Sequence, residues 1–351
     1  MSIFGLYFLD HVLTEMKQNF GFIFLLTALT LAACSKKDNF IRISGSTQGT
    51  SYSIIYEKHR GISKEKVESG VKRILRDIDY SLSIYNDSSV ISKLNRGENI
   101  EVGKYFKEVF DISQEISELT GGAFDITLGP LVRAWGFGPN EKKEFDSDKL
   151  DSLLNLVGYN KVRIENNRLV KDNSGIILDL NAIAQGYTAD VISRFFDSLG
   201  VKNYLVEIGG EVKVKGTKNG KPWRIGIDKP FDNNIFPGEN LQAIIEMSGG
   251  AVATSGNYRK FYIENGIKYS HTIDPATGYP ARNRLLSATV VADKCSVADA
   301  VATACMVMGI EKSIEFMENH PEFEAYFVYS DDSGNYVTWM SESLKNKIVE
   351  E

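Results

Sequence analysis

The chain has 351 residues, 40 Lys and Arg against 46 Asp and Glu, a formal charge of -6 and 43% hydrophobic residues. There is enough apolar material to build one large domain or two intimate ones. The acidic balance, with no long basic cluster, excludes nucleic acid as the main partner, because phosphate backbones are held by Lys/Arg surfaces. Three cysteines with no CxxC and no Cys/His spacing exclude a disulfide framework and a zinc site.

At the N-terminus Lys17 precedes an apolar run from Phe20 to Ala33, too short for an ordinary membrane-spanning helix, so residues 1–33 read as a signal peptide. Met16 begins a more typical signal than Met1 does. The run closes on Leu31-Ala32-Ala33-Cys34 and turns polar at Ser35-Lys36-Lys37-Asp38. Small residues before a cysteine resemble the lipobox of bacterial lipoproteins, in which Cys34 takes a diacylglycerol; the alternative is a plain secretion signal with a chance cysteine. Residues 34–41 then form a lipidated cysteine and linker, and residues 42–351 the domain. The expectation is a lipid-anchored protein of the cell envelope facing the periplasm.

Beyond the linker, residues 41–45 and 50–56 read as two strands around a turn. Val67, Val71, Ile74, Ile78 and Leu82 recur at helical spacing, and a second helix spans about 104–119, stopped by Gly121-Gly122. Residues 177–180 read as a strand running into a third helix marked by Ile183, Tyr187, Val191, Phe195 and Leu199. Strands follow at 204–208, 211–215, 223–227 and 241–247. The last third offers a strand at 287–292, helices at about 297–308 and 311–317, and strands at 323–329 and 336–339. Strands are grouped rather than alternating with helices, which favours α+β over a doubly wound fold.

No GxGxxG opens a helix, and Gly216 to Pro222 is one residue short of a P-loop and ends in proline. A nucleotide must be held another way. Asp299 and Thr303 lie four apart near a helix start, an oxygen pair that suits a hard cation such as Mg²⁺ once a carbonyl, waters and phosphate complete it. The bland alternative is an acidic residue favoured by the helix dipole beside a threonine bonded to its own backbone. Asp179, set among apolar neighbours, either accepts hydrogen bonds from a ligand or caps the following helix. The loops 120–127 and 270–278 also concentrate polar residues between glycines or prolines. His271, the one histidine inside such a motif, is either a satisfied structural residue or an acid/base group.

In chain order the pieces Gln48-Gly49-Thr50-Ser51-Tyr52, Ser83-Ile84-Tyr85-Asn86, Gly122-Ala123-Phe124-Asp125, Trp135-Gly136-Phe137-Gly138, Asp179 to Tyr187, Gly209-Gly210-Glu211, Thr254-Ser255-Gly256-Asn257-Tyr258, His271 to Gly278 and Ala298-Asp299 to Thr303 resemble the ApbE family of FAD:protein FMN transferases. The resemblance implies a T-fold-like α+β domain with antiparallel sheets packed against helices. Such a domain binds FAD as substrate with Mg²⁺ and moves the FMN half onto a threonine hydroxyl of an acceptor flavoprotein, releasing AMP. It implies Asp299, Thr303 and the carbonyl of Ala182 as metal ligands, and Gln48, Tyr85, Ala123, Phe124, Asp125, Asp179, Gln185 and Ile273 as flavin-dinucleotide contacts. His271 is implied as the base, with Asp299 in the catalytic set. The acceptor class implied is a membrane electron-transfer or ion-pumping flavoprotein. Gln48 stands where many members have methionine, and Gln185 where many have lysine, so a cationic contact becomes a neutral amide. A Mg²⁺-dependent FAD pyrophosphatase, and a non-catalytic FAD-binding lipoprotein, are the competing readings.

Overall fold

The computed structural model describes residues 39–138, 145–231, 238–257, 261–264 and 267–349. The expected signal segment, Cys34, most of the linker, and Tyr258 of the Thr254 to Tyr258 motif lie outside them. From Phe40 onward the chain forms one compact unit. Among the described residues no helix is long and apolar enough to cross a membrane.

The first hairpin joins β1 (Phe40–Thr47) to β2 (Thr50–Glu57), with Thr47 opposite Thr50, so Gln48-Gly49 is a two-residue turn. Both turn residues have positive φ, at 50° and 72°, which matches the right-handed twist of the flanking strands. β1 begins at Phe40, inside the expected linker. Helices α1 (Lys64–Leu82), α2 (Val90–Asn95), α3 (Lys104–Leu119) and α4 (Gly129–Ala134) follow. Ser63 caps α1 by accepting from Lys66 N, and Val67, Val71, Ile74, Ile78 and Leu82 form its buried face, as the spacing predicts. Then come α5 (Leu150–Leu154), the β3 (Val162–Glu165) and β4 (Arg168–Lys171) hairpin, and α6 (Asn181–Ser198).

The second half supplies β5 (Tyr204–Ile208), β6 (Glu211–Lys215), β7 (Trp223–Asp228), β8 (Leu241–Met247), β9 (Gly249–Gly256), β10 (Phe261–Glu264), β11 (Ile267–Ser270) and β12 (Leu285–Ala292). It ends with α7 (Cys295–Met308), α8 (Ile310–Asn319), β13 (Glu324–Ser330), β14 (Tyr336–Met340), α9 (Glu342–Lys345) and β15 (Ile348–Val349). Eight strands form one antiparallel sheet in the order β1-β2-β5-β6-β9-β12-β13-β14, and β15-β8-β7 form a small antiparallel sheet.

Period-2 alternation makes three layers. On β9, Ala251 and Ala253 face the core shared with α1, α3, α6 and α7, whereas Val252 joins Trp223, Ile225, Ile245 and Met247 of the small sheet. β12 and β13 divide likewise, Val290 and Phe327 to the helices, Val291 and Val328 to the small sheet. The helices thus cover one face of the large sheet and β7, β8 and β15 the other. This is the α+β arrangement of antiparallel sheets and helices expected from the grouped strands.

The structure adds one strand to the sequence-based elements and corrects another. Gly249–Gly256, to which the sequence assigns no element, is a central strand, although its Gly/Ala content has little β propensity. Residues 177–180 form no strand; only Ile177 makes a bridge, to Leu128. The place of a neighbouring strand at Leu178 is taken by the Asn95 side chain: Leu178 N donates to Asn95 Oδ1 at 2.8 Å, and Asn95 Nδ2 donates to Leu178 O at 2.9 Å. One amide thereby satisfies both backbone groups of a fully buried residue. Asn95→Ala strands both groups and should lower unfolding free energy by about 2–4 kcal/mol, measured by urea denaturation. A loss under about 0.5 kcal/mol would show that the segment finds other partners.

Candidate functional site

Helices α6 and α7 cross at Gly186. A Cβ built there would lie 2.4 Å from the Cys295 carbonyl oxygen and 2.9 Å from Asp299 Cβ, closer than atoms pack. Only glycine lets the helices approach this far. At the crossing, Gly186 N donates to Asp299 Oδ2 at 3.0 Å. In a regular helix that N–H would serve the Ala182 carbonyl, so Ala182 shares or loses its helical donor. One turn further along α6, Asp190 accepts from Cys295 N and Ser296 N, both at 2.9 Å, and from the Ser296 hydroxyl at 2.7 Å. The N-terminus of α7 is therefore capped from another helix, which is why it starts at Cys295, two residues before the sequence-based start.

These bonds show that neither Asp299 nor Thr303 serves the start of its own helix. Asp190 serves the helix start. Asp299 is instead 7% exposed and directed at α6. Its carboxyl is held well above the ordinary value of 3.8, first by burial and then by the like charge of Glu211. Thr303 is not turned to its own helix either. Ser113, Thr120 and Thr188 donate to carbonyls four residues back at 2.6–2.7 Å, but the Thr303 hydroxyl lies 3.2 Å from Ser255 Oγ on β9. Both side chains lie on one face of α7, as their spacing requires.

Two hairpin turns close in on α6. Gly209 and Gly210 connect β5 to β6 with positive φ, and a Cβ at Gly209 would meet Gln185 Nε2 at 2.8 Å and Thr50 Cγ2 at 2.9 Å. Gln48, in the β1–β2 turn, donates from Nε2 to Thr188 Oγ1 at 2.7 Å. The structure thus gathers Gln48, Ala182, Gln185, Asp299 and Thr303 around the first turns of α6.

A second group adjoins through the chain itself. Asp179 N donates to Ile126 O at 2.8 Å, and Asp179 Oδ1 accepts from Asn181 N at 2.9 Å, an Asx-type bond just ahead of α6, whose N-cap is Leu180 with no side-chain bond. Tyr85, 64% exposed, has its phenol pKa raised by burial of part of the ring and by the charge of Asp179, while Asn181 hydrogen-bonds it. Ile84, Val132, Arg133, Ile177 and Asp179 line a shallow crease. Asp125 accepts three hydrogen bonds, two on Oδ1 from the Thr127 N–H and hydroxyl and one on Oδ2 from Tyr159 N. It fixes the 123–128 loop, and burial raises its pKa. Phe124 is 2% exposed and packs in the main core, leaving its half-buried neighbour Ala123 as the more open of the two.

His271 and Ile273 form the third group. Ile273 packs with Leu131, Trp135 and Val157 in a satellite core, and His271 is exposed. The following loop is knit by Asp274, whose oxygens accept from Ala276 N and Thr277 Oγ1, and is pinned by Trp135 Nε1 donating to Gly278 O at 2.8 Å. α4, which carries Trp135 at its end, connects this loop to the bridge at Leu128 and Ile177.

Among the described residues no three His, Cys, Asp or Glu side chains form a metal cage. A cation here would rest on few protein oxygens, which is how Mg²⁺ binds when substrate phosphates complete its shell. The buried, mutually repelling Asp299 and Glu211 fit such a cation.

The ApbE sequence pattern matches residues 48–327. The chain belongs to the ApbE family. It is 36% identical over 328 residues to the FAD:protein FMN transferase of Vibrio cholerae, covering 92% of this chain and 96% of that one. To the Escherichia coli K12 protein of the same name it is 32% identical, covering 93% and 97%. Among solved structures, the flavin transferase ApbE of Vibrio cholerae superposes with a TM-score of 0.79 at 35% identity, over 88% of this chain and 99% of that one. The ApbE protein of Thermotoga maritima gives 0.77 at 30%, over 89% and 100%.

In this ApbE chain the sequence reading singled out the helix pair but not Gly186, Asp190 or Glu211 as individual site residues. Gly186 and Asp190 stand four apart beside Ala182, a spacing that places them on one face of α6, but their partner helix lies over 100 residues away. In metal-free buffer the raised pKa of Asp299 sets the sign of a pH effect. The folded state holds the proton more tightly than the unfolded one, so stability is lost as pH rises from the unfolded value near 3.8 through the folded one. Asp299→Asn should therefore melt above wild type at pH 8, with the gap shrinking toward pH 4. A variant less stable than wild type at pH 8 would contradict a repelled carboxylate at this position.

Proposed function

We propose that the protein is a transferase that moves the FMN moiety of FAD onto a threonine hydroxyl of an acceptor flavoprotein, with Mg²⁺ required and AMP released. The supporting observation is that Asp299 and Thr303 are both turned off their own helix, and that buried Asp299 feels the like charge of a second buried carboxylate, Glu211. A purely structural pair has no reason to keep such repulsion. The names of the relatives supply the reaction class.

Asp299, Thr303 and the Ala182 carbonyl would hold the ion, which when bound supplies charge neutralisation on the pyrophosphate oxygens. Asp179 and Tyr85, beside the 123–125 loop, orient the dinucleotide from one side; Gln48 and Gln185 wall the other. The acceptor hydroxyl attacks the phosphorus that carries the riboflavin half, a P–O bond to threonine forms, and the P–O bond to AMP breaks. His271 takes the hydroxyl proton; it is exposed on a loop pinned by Asp274 and Trp135, which suits a group that must meet a protein substrate. The acceptor is expected to be a membrane electron-transfer subunit, and lipidated Cys34 would hold the enzyme on the envelope facing the periplasm.

The decisive assay incubates the protein with FAD, Mg²⁺ and an acceptor fragment bearing the target threonine, reading fragment mass and released nucleotide. An FMN adduct with stoichiometric AMP is expected, lost in Asp299→Asn. His271→Ala should lower kcat at least tenfold with little change in FAD affinity. FMN and AMP without adduct would instead favour a pyrophosphatase, and bound, unchanged FAD a carrier. For the anchor, Cys34→Ser should move the protein from the membrane to the soluble periplasmic fraction and abolish labelling by a radioactive fatty acid. Unchanged membrane association with no label in wild type would overturn it.

A further inference from the structure

Along β9 the residues that face the helices are Ala251, Ala253 and then Ser255, since side chains alternate and Val252 belongs to the opposite core. The two alanines are fully buried beneath the helices, and Ser255 is half-buried. The row turns polar where it reaches Thr303, whose hydroxyl is 3.2 Å from Ser255 Oγ. Opposite Ser255 in the ladder stands Ala288 of β12, also fully buried, so the strand pair needs no hydroxyl at this position for its own pairing.

Either hydroxyl can be the donor in this contact, but ligation removes the ambiguity. A neutral hydroxyl that binds a cation presents a lone pair, so its proton must go to an acceptor elsewhere. In Ser113, Thr120 and Thr188 that acceptor is a carbonyl of the same helix. In Thr303 the neighbour is Ser255. We propose that Ser255 is a positioning residue that accepts the Thr303 hydroxyl proton and so holds a Thr303 lone pair toward the magnesium ion. This rests on the reading of Thr303 as a metal ligand. Outer partners of this kind orient the ligands themselves, and losing one typically weakens metal affinity by about 10–100-fold.

The test is a Mn²⁺ titration of the full-length protein with FAD present and acceptor absent, reading free Mn²⁺ by its paramagnetic resonance signal, alongside thermal unfolding. Ser255→Ala continues the alanine row and should fold as wild type does, but bind Mn²⁺ about tenfold more weakly or worse. Ser255→Thr, which keeps an acceptor oxygen, should recover most of the affinity. Thr303→Val should bind weakly as well, and adding Ser255→Ala to it should weaken binding little further, because the two act through one contact. Wild-type Mn²⁺ affinity in Thr303→Val would remove the underlying ligand assignment. Weak binding in Thr303→Val with wild-type affinity in Ser255→Ala would overturn the Ser255 proposal alone, as would full additivity in the double variant.

Discussion

The crossing of α6 over α7 at Gly186 sets the geometry on which the rest of the site depends. With 2.4 Å between a would-be Cβ and the Cys295 carbonyl, any side chain at 186 would force the helices apart. The same turn of α6 then performs two further tasks. The Gly186 N–H reaches the Asp299 carboxylate, and Asp190, one turn on, closes the N-terminus of α7. Start, tilt and acidic residue of α7 are therefore fixed together, and Thr303 is carried along to Ser255 on the sheet. Moving α7 by the width of a methyl group would disturb all of these contacts at once.

Two buried carboxylates in this chain show how burial alone fails to identify a functional group. Asp125 and Asp299 are almost equally hidden, at 8% and 7% exposure, and burial raises the pKa of both. Asp125 is compensated by three hydrogen bonds from Thr127 and Tyr159, which close a loop upon it. Asp299 has one backbone donor from Gly186 and faces the charge of Glu211. A buried like-charge pair is destabilising unless one member takes up a proton or a cation joins it. The contrast makes Asp125 a loop clamp and leaves Asp299 with a single donor to offset its burial.

Much of this was legible in the sequence where the signal is local. The helices starting at 64 and 104 follow from apolar spacing, and the paired strands around Gln48-Gly49 and Gly209-Gly210 from alternation broken by turn residues. What the sequence did not disclose is non-local. Gly249–Gly256 receives no element from the sequence, because its Gly and Ala residues carry little strand propensity, although Ala251 and Ala253 lie fully buried against the helices. Residues 177–180 read as strand, because their apolar residues are buried, yet both backbone groups of Leu178 go to a single asparagine 83 positions earlier. Family resemblance supplied Asp299 and Thr303, but only the packing shows that neither serves its own helix. Asp179, for which capping and ligand contact were both open, sits one residue before the N-cap of α6 and bonds Asn181 N, and its charge is also felt at Tyr85.

The departures at 48 and 185 acquire a physical meaning from the same contacts. Gln48 is committed through its amide nitrogen to Thr188, and Gln185 packs its amide against Gly209. Both line the site as neutral groups. A pyrophosphate brought near Asp299 and Glu211 would meet two carboxylates with no cationic side chain from either position to offset them. In a protein that is acidic overall, the charge balance of the proposed reaction then falls mainly on the bound cation. That places the greatest demand on the orientation of its ligands, which is where the off-helix direction of Thr303 and its contact with Ser255 act.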